Sequence, residues 1–409
     1  MRLPCLGIWH ERLWILQGWG LLALTFLSFF PTLIHVQVPL SGALIVLAGG
    51  TAWLVREPLW TRTPVDMPLI WLLAWILLTI PWAINPAYSF NEWRKLAAKI
   101  LVFYWALLVC RHQRTRSLLP QVMIALVLGM GVLSIYGLAD FVVRGGSWKD
   151  RTVRALAPGS DYNWLSTYAV MTLPLLVVAW LVLRGPVRRV ASASALIGAA
   201  GTMLFAYTRA AWLGLAIQGL AAAAFTRSRW LLITLTGMCV GIVVGLYALV
   251  QHGYHLATVD PWTAEARLEL WGLATRELLE HPLVGIGFGN DTFRFRFPDV
   301  VQRPGHEGVH SLFLMVAMGS GLPALGCLVW VFWSAVRAML NRAQASAERD
   351  ERLWSMGVAL MVIGFAVRNL FDYMAAGSIA YLFWILVALG LMGAHNAPVE
   401  SVMQKDSRA

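Results

Sequence analysis

Apolar runs of about 17 to 25 residues recur from one end of this chain to the other, each long enough to cross about 30 Å of hydrocarbon as a helix. That recurrence constrains the fold class more than any other feature. Composition agrees, since 59% of the residues are hydrophobic and 13% charged, against roughly 25% charged in soluble domains. The sequence predicts an all-α, polytopic integral membrane protein. Cys5, Cys110, Cys239 and Cys327 lie in or beside apolar runs and contain no CxxC pair, so neither a disulfide framework nor a cysteine metal site is expected. Residues 1–12 lead straight into a span-length segment without a small-residue cleavage site, and no cleavable signal is expected.

About twelve spans are predicted, at 13–30, 39–55, 68–84, 96–110, 118–143, 163–183, 190–206, 210–225, 230–250, 310–336, 353–371 and 376–393. The chain divides into residues 1–250 with nine spans, 251–309 as one large extramembrane loop, and 310–409 with three spans and a tail. GSGLP at 319–323 interrupts the tenth span and predicts a bend. An even number of spans puts both termini on one side. Taking that side as cytoplasmic places 18 of the 32 Lys and Arg in the termini and short inner loops, as the positive-inside rule requires. The net charge of +11 then reads as topology, and no nucleic-acid partner is expected.

Against that frame Arg209 is conspicuous. From Val190 to Phe225 the chain runs 36 residues with Arg209 as its one charge, and an arginine held at mid-bilayer costs at least about 2.5–3.5 kcal/mol. The basic loops at 184–189 and 227–229 are both on the inner side, so the stretch between them must go out and return. Arg209 is thereby placed at an outer hairpin tip.

The large loop is outer as well, and it contains a predicted helix over 264–280, with Thr263 as its cap and His281-Pro282 as its stop. At 100° per residue Glu265, Glu269, Arg276 and Glu280 fall within about a 60° stripe, the solvated face. Arg267 lies opposite, among Leu270, Trp271, Ala274 and Leu278. An arginine on an apolar face needs an anionic partner or a wet cavity. Two readings stand: an internal ion pair or snorkelling guanidinium, and an anion-binding group facing an active site. The 21 tryptophans suit an interfacial belt and offer stacking faces for sugars, Trp271 among them.

His310 opens the span HSLFLMVAMGSG on the same outer side. A neutral imidazole there can take a proton from a hydroxyl, while arginines can hold a diphosphate in bidentate fashion. Residues 306–310 also spell HEGVH, a literal HExxH zinc motif, which requires a helix through all five residues. Gly308 and the preceding Pro304-Gly305 predict instead that the helix begins near Gly308 with His306 in the loop, and no metal is expected. GIGFGN at 285–290 follows a helix end and shapes a turn, not a nucleotide fingerprint. Arg94, Lys95 and Lys99 start the fourth span from outside, where they read as snorkelling anchors. Arg144, Lys149, Arg151 and Arg154 form a further outer cluster. The outer face carries 13 acids against 14 bases, so basic residues count only where they gather.

These stretches resemble a known family. TRAAWLG (208–214), ARLELWGLATRELLEHPLVGIGFGN (266–290), VHSLFLMVAMGSGLPAL (309–325) and RALAPGSDYNWLSTYAVMTLPLL (154–176) are similar to the O-antigen ligase and O-antigen polymerase superfamily, over roughly 154–340. The resemblance implies a membrane-embedded glycosyltransferase of GT-C-like type in the bacterial inner membrane, with its site facing the periplasm. It implies transfer of O-antigen from undecaprenyl diphosphate to the lipid A-core oligosaccharide, with inversion and without metal, nucleotide or other cofactor. The family's hairpin arginine falls on Arg209, its loop-helix arginine on Arg267 and its histidine on His310; a late outer acid matches Asp372. Where many relatives have Asn after the histidine this chain has Ser311. Arg94 and Lys95 are secondary candidates for anionic lipid or core phosphates. An O-antigen polymerase, a protein-targeted oligosaccharide transferase and, from another class, a lipid-linked glycan transporter remain as alternatives. The loop helix with its facing arginine favours an enzyme, and no internal repeat of the kind transporters carry is evident.

Overall fold

The computed structural model describes residues 4–112, 115–147, 153–229, 233, 261–303 and 305–392. The described chain is helical, without strands: α1 (Pro4–Leu27), α2 (Ile34–Val55), α3 (Asp66–Thr79), α4 (Pro86–His112), α5 (Thr115–Val143), α6 (Tyr162–Val182), α7 (Pro186–Ala206), α8 (Arg209–Thr226), α9 (Pro261–Glu280), the one-turn α10 (Thr292–Arg296), α11 (Leu312–Ala345), α12 (Arg349–Leu370) and α13 (Gly377–Leu391). The predicted span at 230–250, the start of the large loop at 251–260, Lys149, Arg151 and the tail beyond 392 lie outside the described residues.

Every other predicted span coincides with a helix. Among the described residues six helices are long and apolar enough to cross a membrane, at 31–54, 118–143, 162–182, 186–206, 312–345 and 349–370, with shorter apolar helices at 66–82 and 377–391. α4 falls short because Glu92, Arg94, Lys95 and Lys99 occupy its first half. Large apolar side chains such as Val143, Val46 and Trp53 face outward, as lipid-facing helix surfaces do.

α12 is the central post, packed against α6, α8, α11 and α13. Small residues let backbones approach there. Gly364 of α12 faces buried Gln218 of α8, whose amide donates to Val170 O of α6 (2.9 Å) and Leu360 O of α12 (3.0 Å).

The predicted bend is a full break of α11 at Ser320 (φ −138°, ψ 16°) and Gly321 (φ 79°, ψ 177°). Buried backbone groups freed by a break must find new partners. The GIGFGN turn and the residues just before it supply them: Ile286 N donates to Met318 O (3.0 Å), Gly287 N to Gly319 O (2.8 Å), and Leu322 N to Pro282 O (2.8 Å). Trp75 Nε1 of α3 caps Ser320 O at 3.0 Å. Two glycines are obligatory by contact as well as by conformation. A Cβ on Gly285 (φ 65°) falls 2.4 Å from the Gly319 carbonyl carbon, and one on Gly321 falls 2.1 Å from Leu283 O.

Short connections make sequence neighbours antiparallel, so the segments after α1, α3, α5, α7 and α12 meet at one end with the loop before α11. Contacts across that end confirm the arrangement: Ile84 N donates to Ile286 O (2.8 Å), Ala155 N to Phe205 O (3.0 Å) and Leu312 N to Asp372 O (3.1 Å). Arg209, Arg267, His310 and Asp372 all lie at this end.

Candidate active site

α9 rests its apolar face on α11. Leu270 and Ala274 are buried with Ile286, Phe293, Val309 and Met318, while Glu265, Glu269, Arg276 and Glu280 are exposed as predicted. The helix starts earlier than expected, at Pro261, so Thr263 lies inside it and is not its cap. Trp271 packs beside Phe371 with ring centres 6.1 Å apart and donates its indole N–H to Val309 O at 3.0 Å. That bond occupies its polar handle in holding the residue before His310, a positioning role the sequence did not suggest.

His310 does not open the helix. Ser311 is the N-cap of α11, accepting from Leu314 N at 3.3 Å, which gives this side chain a local task without an amide. His310 precedes it at φ 49°, a left-handed conformation uncommon outside glycine and more often found at functional sites. The twist turns the imidazole to the loop after α12, where Nδ1 lies 3.5 Å from Asp372 Oδ1. Nε2 is left facing the more exposed side, 4.0 Å from Glu307 Oε2. A ring whose Nδ1–H is directed at a carboxylate keeps its Nε2 lone pair for a proton.

Residues 306–310 are not helical, so the one-turn spacing of HExxH is absent. His306 is buried and points elsewhere, 3.4 Å from Glu269, which Arg303 also holds at 2.9 Å. The hydrogen bond from Arg303 keeps the Glu269 carboxyl below its ordinary value. The cluster of metal-ligand types found among the described residues, Glu277, Glu280 and His281, lies at the C-terminal end of α9; Glu277 is held there by Arg296 and Glu280 by Arg276.

Asp372 is joined to a residue that sequence reasoning passed over. Arg368, in the last turn of α12, is fully buried, lies 3.2 Å from Asp372 Oδ2 and donates to Asn163 Oδ1 of α6 at 2.9 Å. Its Nε and Nη1 have no hydrogen-bond partner among the described residues. Burial pushes the Asp372 carboxyl up, but the hydrogen bond from His310 and the charges of Arg368 and His310 outweigh it and hold the group at about 2. Asp161 caps α6, accepting from Asn163 N (2.8 Å) and Trp164 N (3.0 Å). The signal for Arg368 was present in RNLFD, where an arginine precedes the acid by one helical turn; inside a span it read only as the span's end.

Arg267 is half-buried on α9, and its charge acts on Arg368. It makes no hydrogen bond or ion pair among the described residues. Arg368 thus sits on one oxygen of a buried carboxylate and His310 beside the other, and the charge of Arg267 reaches Arg368. Arg209 stands exposed at the first residue of α8, on the hairpin tip where the charge count put it. Arg94 is bonded to Asn91 at 2.8 Å and Lys95 to Glu92 at 2.5 Å on exposed α4 surface. Neither joins the His310–Asp372–Arg368 chain.

Chemically, the arrangement offers a proton acceptor oriented by an acid, close to the charge of Arg267 and at the same end of the bundle as Arg209. No curated protein matches the chain. A family model described as O-antigen ligase matches residues 193–329, a segment that includes Arg209, Arg267 and His310 and ends before Arg368. That match supports an assignment to the O-antigen ligase superfamily.

Proposed function

We propose that this protein transfers O-antigen polysaccharide from undecaprenyl diphosphate to the lipid A-core oligosaccharide at the periplasmic face of the inner membrane. The observation that supports the reading is the His310–Asp372–Arg368 chain, with the charge of Arg267 acting on it. His310 Nε2 takes the proton of the acceptor hydroxyl as its oxygen attacks the donor's anomeric carbon. The bond from that carbon to the phosphate oxygen breaks on the opposite face, inverting the centre. Undecaprenyl diphosphate leaves with the electron pair, and Arg267, with Arg209 at the rim, meets the growing negative charge. The diphosphate is itself the leaving group, so neither ATP nor a metal is required by the bond balance.

The test is the lipopolysaccharide ladder of the source strain with the gene deleted and then restored as wild type or His310→Ala. Bare core with polymer retained on undecaprenyl diphosphate, rescued by wild type and not by His310→Ala, is expected. Core carrying single repeat units identifies the polymerase instead. An unchanged ladder refutes both and points to a protein acceptor or to transport.

A further inference from the structure

Two groups at the site lack a hydrogen-bonding match. With the Nδ1–H of His310 directed at Asp372 (3.5 Å), Nε2 is an acceptor. The carboxylate of Glu307, with Oε2 4.0 Å from Nε2, is an acceptor too. Two acceptors at that separation cannot bond to each other, and among the described residues Glu307 makes no hydrogen bond. Both side chains are open to solvent, His310 at 25% and Glu307 at 63% exposure. What satisfies both at once is a molecule that brings two donors held roughly a hydrogen-bond length apart.

A vicinal diol has that form. On adjacent ring carbons of a pyranose two gauche hydroxyls offer one donor each, with the oxygens close enough to reach Nε2 and Oε2 together. Gly308 brings a third polar group to the same loop. It carries no side chain, and a Cβ there would fall 3.2 Å from Asn290 Oδ1 and 3.5 Å from its Nδ2, so the Asn290 amide lies against this segment. A carboxylate also repels a diphosphate, so this side of the imidazole suits the uncharged hydroxyls of an acceptor and not the donor's leaving group.

We propose that Glu307 selects the acceptor, which is a sugar with a free hydroxyl next to the one that is glycosylated. The attacking hydroxyl gives its proton to His310 Nε2, while its neighbour keeps its own proton and donates a hydrogen bond to Glu307. The inference rests on the reading of His310 as base for the acceptor hydroxyl. It adds a specificity determinant to that reading.

Transfer kinetics with purified donor and core oligosaccharide acceptors test it, comparing the native acceptor with analogues deoxygenated at each carbon beside the glycosylated one, as located by linkage analysis of the wild-type product. With wild type, one analogue should lose about ten- to hundredfold in kcat/KM, the worth of a hydrogen bond to a charged group. Glu307→Ala should lose as much on the native acceptor, through KM with kcat little changed, and nothing further on that analogue. Glu307→Gln, which still accepts but without charge, should fall between. The side chain is largely exposed, so the variants should unfold at the wild-type temperature. An equal analogue loss in wild type and Glu307→Ala overturns the proposal, as does wild-type efficiency of Glu307→Ala on the native acceptor. A fall in kcat of about 10²- to 10⁴-fold at unchanged KM overturns it in favour of Glu307 as the base itself. Failure of the underlying reading looks different: no transfer to core by wild type, or full transfer by His310→Ala, whatever is done to Glu307.

Discussion

Replacing Asp372 with Asn keeps the shape of the loop and removes the charge that ties His310 to Arg368. The carboxyl titrates at about 2 in the fold against an ordinary 3.8. At about 1.36 kcal/mol per pH unit this is on the order of 2 kcal/mol of stability. Because the folded value is depressed, that stability is present in full above pH 3.8 and is lost as pH falls towards 2. Breaking a buried pair also strands its partner, and Arg368 has no exposure to water, so Asp372→Asn is expected to cost about 3–5 kcal/mol in total. Thermal unfolding in detergent across pH should show the wild type weakening below pH 4 and Asp372→Asn starting lower with a flatter profile. Transfer assayed with purified donor and acceptor should fall by about 10²- to 10⁴-fold, the usual contribution of an oriented general base. Wild-type turnover in folded Asp372→Asn protein would refute the assignment of His310 as a base oriented by this acid.

The remaining expectations concern single contacts. Arg267→Ala should weaken donor binding and slow transfer together, and Arg267→Lys should recover only part of either, because an ammonium lacks the bidentate fork; unchanged kinetics in Arg267→Ala would remove it from the site. His306→Ala removes a side chain directed at Glu269 and away from His310, so transfer should stay near wild type and EDTA should have no effect; inhibition by EDTA reversed by zinc would restore the HExxH reading. Gly285→Ala brings a Cβ to 2.4 Å from the Gly319 backbone at positive φ, and it should destabilise by more than about 1 kcal/mol, seen as a lowered unfolding temperature. Glu307→Cys should react with a membrane-impermeant thiol reagent in intact spheroplasts, and labelling only after lysis would reverse the topology.

Much of this was legible before any coordinates. A charge costs too much in hydrocarbon to be placed idly, so Arg209 in a 36-residue uncharged stretch located a hairpin tip, and the loop between α7 and α8 is there. Helical periodicity separated the exposed acids of α9 from Arg267 for the same reason, since one face must be wet and the other packed. GSGLP announced the break in α11, because glycine and proline cannot sustain a helix ladder. What sequence could not reveal was which separate pieces complete one another. Arg368 looked like the end of a span until packing of α12 against α6 set it between Asn163 and Asp372. HEGVH spells a metal motif that Gly308 and Pro304-Gly305 argue against, but that His306 and His310 are held by different acids is visible only in the fold. Spans and faces follow from local hydrophobicity and period, which each segment carries by itself. Ion pairs between helices and the register of a loop against a broken helix depend on distances across the bundle, and only the tertiary fold determines those.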